Sequence, residues 1–266
     1  METISNVIIG GYCVGCGACS AASNSNIKMH INELGYYSAD IETANSQHID
    51  IASVVCPFSN ESDNEDVLGQ KLFSSNKLFH DPRLGYFLSL NAGRINDSKS
   101  LSLFSSGGLT TWIAAELLKA GEIDGVIHVG GDGIQNDGRL FNYVLSESLD
   151  QLYARTKSRY YAVEFSKVLE QMRGNGKRYA FIGVPCFVKA VRLLCQQDKT
   201  LSHQIAYSLA LVCGHMKSSS FAELLAWQVG VEPSELGKID FRVKDPARPS
   251  NQYSISAWDS KSQSTH

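Results

Sequence analysis

Positive charge is scarce in this chain. Its 24 lysines and arginines are outnumbered by 27 aspartates and glutamates, leaving a formal charge of -3 over 266 residues. Without a basic surplus there is no electrostatic case for binding nucleic acid. Long apolar runs are also missing, and nothing approaches the roughly 20 residues of a membrane span. The opening METISNVIIGGYC has neither a basic head nor an extended apolar core, so no secretory signal is read and a cytoplasmic protein is expected. There is no G-x-G-x-x-G. HVGGDG does not open a helix, which removes the dinucleotide fingerprint of a Rossmann fold. What remains is a globular composition, 43% hydrophobic.

Cysteine is not lacking, but one cysteine is missing from where a motif would put it. CVGCGACSAASNS carries Cys13, Cys16 and Cys19 in the C-x2-C-x2-C spacing of a bacterial iron–sulfur run. Such a run continues x3-C-P; here Ser23 and Asn24 stand at those positions. In two-cluster ferredoxins the last cysteine of each run ligates the other cluster. Cys56-Pro57, in VVCPFS, is a Cys-Pro pair downstream of the triplet with no second triplet before it. The pattern is that of a ferredoxin-like module reduced to one cluster, held by Cys13, Cys16, Cys19 and Cys56. Gly15 and Gly17 fit, since backbone N–H groups must approach the cluster sulfurs. Four thiolates also suit zinc, but zinc ribbons use two C-x2-C knuckles, so the spacing favours [4Fe–4S].

Residues 1–66 are read as this module, with a hairpin in NIKMHINELGYYSADI and the acidic NESDNED as a linker. Residues 67–266 read as an α/β core. Its patterns predict a helix with the stripe Leu109, Trp112, Ile113 and Leu117, stopped by Gly121. Next come strand DGVIHVG, turn GDGIQNDG and strand RLFNYVLS. A helix is predicted over YYAVEFSKVLEQMRGNG, with Tyr161, Phe165, Val168, Leu169 and Met172 on one face. Strand KRYAFIGV, helix PCFVKAVRLLCQQ, a buried strand QIAYSLALVC and a serine-capped helix SSSFAELLAWQVG complete the alternation. Such alternation implies a partly parallel mixed sheet covered by helices. KIDFRVK and QYSISAW are further strands, and the chain stops before the latter is expected to pair, so the core is read as incomplete at its C-terminus.

Two turns carry chemistry. Ser105-Ser106-Gly107-Gly108 stands at a helix start, where unpaired N–H groups and the helix dipole suit a phosphate; serine capping is the equally open alternative. Gly183-Val184-Pro185-Cys186 joins a strand end to a helix, where ligands of α/β sheets sit. Cys186 there is expected to have a lowered pKa, as a reactive thiol or packed against a cofactor. Cys195 and Cys213 are read as core packing, with a site role left open for Cys213, and His128 and His215 receive no ligand role.

The ordered set CVGCGACSAA, FSSGGLTTWIAAELL, TKSRYYAVEF, YAFIGVPCFVKAVR and LVCGHMKSSSFAELL resembles the coenzyme F420 hydrogenase/dehydrogenase beta-subunit family over almost the whole chain. A bacterial member is expected. The resemblance implies an oxidoreductase in which FAD and a [4Fe–4S] cluster pass electrons between a ferredoxin-type or F420-type partner and a small-molecule substrate. The alternatives are a non-catalytic electron-transfer subunit of a larger complex or oligomer, and a zinc-stabilised binding module. The fold it implies is a ferredoxin-like module followed by a flavin-binding α/β core. By the same resemblance Ser106, Gly107, Gly108 and Thr110 cradle part of FAD. Lys157, Ser158 and Tyr160 match the family's G-S-K-Y segment, with Lys157 in place of its glycine and Arg159 of its lysine. Gly183, Pro185 and Cys186 line the flavin pocket, with Val184 and Phe187 replacing a threonine and a glutamine. No catalytic proton donor is assigned.

Overall fold

The computed structural model describes residues 3–74, 77–96, 103–131, 138–245, 247–249 and 251–266. Most of the predicted GDGIQNDG turn lies outside them. The N-terminal part opens with helices α1 (Ile4–Ile9) and α2 (Ala18–Ala22) and the antiparallel hairpin β1 (Lys28–Ile31) and β2 (Tyr37–Asp40). Gly35 turns this hairpin at φ +76°. Helix α3 (Ser46–Val55) follows, its N-terminus capped by the Asn45 side chain, which accepts from His48 N. The acidic stretch is not a free tether. Asn64 Oδ1 accepts from Val67 N and starts α4 (Glu65–Phe73), whose first turn holds Glu65 and Asp66, the charge sign a helix N-terminus favours. A short hairpin, β3 (Phe79–Asp81) with β4 (Gly85–Phe87), comes next.

The central sheet has the order β6-β5-β7-β8. Its strands are β5 (Gly125–Gly130), β6 (Asn142–Ser146), β7 (Tyr179–Gly183) and β8 (Ile205–Ala210). β5, β7 and β8 run parallel and β6 antiparallel at one edge, the mixed sheet that the alternation implies. β7, YAFIG, is buried along its whole length. β8 is not the buried strand predicted: at the sheet edge it alternates half-buried with exposed residues. Helices α5 (Leu109–Lys119), α6 (Leu149–Ala154), α7 (Ser166–Met172), α8 (Pro185–Gln197) and α9 (Lys199–Gln204) surround the sheet. Helix α10 (Ser219–Gln228) packs on a second sheet, β11-β10-β9, formed by β9 (Leu236–Val243), β10 (Ser254–Asp259) and β11 (Ser264–Thr265). QYSISAW is therefore paired on both sides, contrary to expectation.

Three further expectations change. The apolar stripe on α5 is not its packed face: Trp112 is 46% exposed, while Ala114 and Ala115 are buried against Val126 and Ala180 of the sheet. Periodicity marks a stripe, but small side chains permit the closest approach to a strand. Helix α7 begins only at Ser166, because Tyr161–Phe165 are committed elsewhere: Glu164 accepts from Ser166 N at 2.5 Å, and Phe165 N donates to Cys16 O at 3.0 Å. The serines before α10 do not cap it; Ser219 Oγ donates to Gly35 O at 3.2 Å, tying the helix to the N-terminal hairpin.

The largest core joins Cys16, Ala18, Ala21 and Val55 of the N-terminal part to Phe165, Phe181, Phe187 and Leu194. A smaller one packs Ile4, Val7, Ile27 and Ala52 around Cys19 and Cys56.

Candidate functional site

The four cysteines singled out by spacing meet. Cys13 and Cys16 lie in the loop before α2, Cys19 lies within α2, and Cys56 is the residue at which α3 ends. All four line one small pocket with Pro57, Met29, Ile4 and Val7, and no charged residue lines it. Ser23, where the fourth cysteine of a continuous run would stand, is 3% exposed and works as a turn: its hydroxyl accepts from Ile27 N at 3.0 Å and donates to Ser20 O at 3.3 Å. Burial pushes the Cys16, Cys19 and Cys56 thiols up, and the neighbouring thiols of the quartet push them further. Among the described residues, no three His, Cys, Asp or Glu side chains converge closely enough to hold a single metal ion.

The loop's glycines have a packing reason as well. Gly15 sits at φ +64°, and a Cβ there would lie 2.3 Å from Tyr37 Cβ; Gly17, at φ +90°, would place one 2.5 Å from Glu164 Oε2. The loop is thus clamped between the hairpin and the segment before α7.

A cavity of about 690 Å³ lies beside the C-terminal ends of β5 and β7. That size is typical of a site for a cofactor or small ligand. Ser105, Ser106, Gly108 and Thr110 from the start of α5 line it, as do Lys157, Ser158 and Tyr160, and Gly183 and Val184 at the end of β7. Seven of the ten residues assigned to flavin by resemblance therefore share one cavity. Gly107, Pro185 and Cys186 stand in the same turns but are not among its lining residues. The turns are laced together: Ser158 N donates to Ser105 Oγ at 2.7 Å, Thr156 Oγ1 to Leu103 O at 2.8 Å and Lys244 Nζ to Ser106 O at 2.9 Å. No side chain caps α5; its N-cap is Gly108, at φ +79°, where a Cβ would lie 2.6 Å from Phe104 Cδ2. Serine capping is thereby set aside, and the first turn, Leu109 to Thr111, stands at the cavity wall.

Lys157 explains the glycine of the family segment. It holds φ +92°, a region that favours glycine. Its Nζ is tied to Asp240 at 3.2 Å and to Arg242 O at 3.3 Å.

Charge is the property that sequence reasoning missed. Arg155, Lys157, Arg159, Lys217 and Arg242 line the cavity, and among the described residues no carboxylate does. The side chain of Arg242 lies over the rings of Tyr160 and Tyr253, 5.5 and 5.0 Å from their centroids. The signal was present as cations inside TKSR and DFRVK, next to glycine and serine turns, but a net acidic chain hides a local excess of the other sign.

Between pocket and cavity stands an aromatic partition. Tyr143 lines the cavity, donates to Ile182 O at 3.2 Å, stacks on Phe181 at 5.4 Å and meets Phe165 and Phe187 at 6.0 Å. Cys16 belongs to the same packed cluster. Burial pushes the Tyr143 hydroxyl well above its ordinary pKa, so it keeps its proton. His128 also lines the cavity; its Nε2 lies 2.9 Å from Ser146 Oγ, and burial with nearby Arg155 and Arg159 lowers its pKa to about 4.

Two cysteine expectations are corrected. The Cys186 pKa is raised, not lowered, because burial against the core outweighs the backbone hydrogen bonds of the α8 N-terminus. Cys213 is exposed and lines the cavity instead of packing in the core. Cys195 packs against the core as expected, its pKa pushed up to about 12 by burial. His215 joins the cavity wall.

The N-terminal domain of coenzyme F420 hydrogenase/dehydrogenase, beta subunit, matches residues 91–170, and the C-terminal domain of that subunit matches residues 176–264. The chain belongs to the coenzyme F420 hydrogenase/dehydrogenase beta-subunit family. The two matches contain every lining residue of the cavity, whereas the cysteine quartet lies outside them. A chain in a solved structure of the F420-reducing [NiFe] hydrogenase complex from Methanosarcina barkeri has a similar fold, with a TM-score of 0.51 at 19% identity. The similarity covers 71% of this chain and 62% of that one, so the present chain spans less than two thirds of its neighbour's length. No curated protein matches the sequence. No helix among the described residues is long and apolar enough to cross a membrane.

Proposed function

We propose that this chain is a flavin- and iron–sulfur-dependent oxidoreductase. FAD occupies the cationic cavity and a [4Fe–4S] cluster is held by Cys13, Cys16, Cys19 and Cys56. Electrons pass between a ferredoxin-type or F420-type partner and a small-molecule substrate. The observation that carries the reading is the cavity wall, where three family turns meet at an uncapped helix start with Arg242 and Lys217 beside it.

The residues fit both groups. Four thiols converge on one small pocket, and the C-x2-C-x2-C spacing with a distant Cys-Pro is the donor pattern of a [4Fe–4S] cluster more than of tetrahedral zinc. Buried thiols that raise one another's pKa call for a cationic centre to hold them as thiolates. In the cavity, the N–H groups of the first turn of α5 and the side chain of Arg242 offer hydrogen bonds to a pyrophosphate. When bound, a flavin exchanges electrons in pairs and a cluster one at a time.

The chain's own residues do the rest. Tyr143, Phe165 and Phe187 keep water out of the partition between the two sites. Tyr143 holds its proton on Ile182 O, so it is a wall and not a donor to substrate. His128, neutral above about pH 4, adds no charge to the cation set.

A second reading, an electron relay inside a larger assembly, is favoured by the exposed Leu109, Trp112 and Ile113 on α5. One preparation tests both. Protein purified without oxygen is expected to absorb near ~400 nm, carry about four irons per chain and release FAD. Cluster and FAD without turnover of any donor–acceptor pair would select the relay. A colourless protein with one zinc would overturn both.

A further inference from the structure

We propose that Cys186 and Cys213 form a redox-sensitive thiol pair whose disulfide ties the first turn of α8 to the segment 211–217 that walls the cavity. Strands β7 and β8 are parallel neighbours with Gly183 opposite Ala210, and Leu211 N extends the ladder to Gly183 O at 2.9 Å. Each chain leaves this last rung and reaches a cysteine three residues on, at 186 and at 213. At that last rung the strands lie about 4.8 Å apart, so both segments set out to their cysteines from adjacent positions, and a disulfide spans Cα atoms about 4.4–6.8 Å apart. Cys213 also lies close enough to act on Cys186: after burial, its charge is the next cause of the raised Cys186 pKa. Both are free, Cys213 exposed on the cavity wall and Cys186 half-buried against the main core.

That asymmetry assigns the order of events with hydrogen peroxide as oxidant. The accessible Cys213, as thiolate, attacks a peroxide oxygen. The O–O bond breaks, hydroxide leaves, and Cys213 becomes a sulfenic acid. Cys186 sulfur then attacks the Cys213 sulfur, the S–O bond breaks, and the second oxygen leaves as hydroxide. The two thiol protons complete two waters; two electrons have moved from the cysteine pair to the peroxide. A thiol raised in pKa by burial is the poorer first attacker and the natural second partner. The product covalently fastens Leu211–Lys217, part of the cavity wall, to the helix that follows β7. The inference does not depend on which ligand the cavity holds.

The test is peptide mapping without reductant after hydrogen peroxide treatment of the isolated full-length protein, with iron and FAD assayed on the same sample. The expected result is a peptide pair linking Cys186 to Cys213, released by dithiothreitol. Cys195→Ser should keep the link, and in Cys186→Ser the Cys213 thiol should run on to sulfinic acid. Sulfinic acid at Cys213 in the wild-type chain, with Cys186 left as a thiol, would overturn the proposal. The wild-type map decides even where a variant fails to fold. A link without FAD would leave the thiol pair standing and count against the flavin reading alone.

Discussion

The thiol pocket and the cavity solve opposite problems. The pocket gathers four groups that become anionic on metal binding and surrounds them with Ile4, Val7, Met29 and backbone, with no charged residue on its wall. The cavity gathers five cations, and among the described residues no carboxylate stands on its wall. On the proposed reading, one site has its positive charge brought in by a guest and the other takes a negatively charged one. Their legibility differs for the same reason. Thiolate ligands are read from spacing because cysteine is rare and few other side chains replace it. A phosphate-binding wall is assembled from lysines, arginines and backbone N–H groups contributed by segments far apart, and common residues leave no spacing to read.

The largest effect that tests the contrast is Cys56→Ser. It should abolish iron binding while Cys195→Ser leaves it intact, as judged by iron content after anaerobic purification; retained iron would give the role of fourth ligand to Ser23 or another residue. Next is the clamp on the loop. Gly15→Ala would put a methyl group 2.3 Å from Tyr37 Cβ at a positive φ, and a loss of about 3 kcal/mol is expected in denaturant unfolding. Similar in size is the buried imidazole. With a folded pKa of about 4 against 6.5 unfolded, the unfolded chain binds the proton first, so stability falls as pH drops from about 6.5 towards about 4. The full loss is about 3 kcal/mol, and His128→Gln should flatten that part of the stability profile.

On the cavity side, Arg242→Leu should weaken FAD binding about tenfold, the cost of about 1.4 kcal/mol for one charge-assisted contact; unchanged affinity would remove Arg242 from the pyrophosphate wall. The smallest effect belongs to Lys157→Gly. It relieves a positive φ but takes from Asp240 its ammonium partner, leaving it the Arg242 N–H, two partly exposed terms of opposite sign. The net change in unfolding free energy should stay within about 1 kcal/mol.

Much of the α/β core was legible. Helix α8 occupies PCFVKAVRLLCQQ as predicted, because proline at its first position and a strong apolar face agree. β5 and β7 read as strands because near-continuous apolar runs belong to buried parallel sheets. The errors have one source. Tyr161–Phe165 follows helical spacing yet is held by Cys16 O and by Glu164, contacts from residues remote in sequence or from side chains turned back on the backbone. The stripe of α5 is real, but which face meets a strand depends on the small residues opposite it. Of the site, spacing yielded the quartet and family turns yielded most of the cavity wall. The cations had to await the fold that gathers them.

The hydrogen bond from Phe165 N to Cys16 O has a consequence for assembly. It joins the peptide between two prospective metal ligands to the residue that starts α7 and belongs to the aromatic partition. If the quartet holds a metal as proposed, loading it and completing the cavity wall become one cooperative event. The N-terminal segment is then no free cassette: removing it takes away the acceptor that holds Phe165 N just before α7.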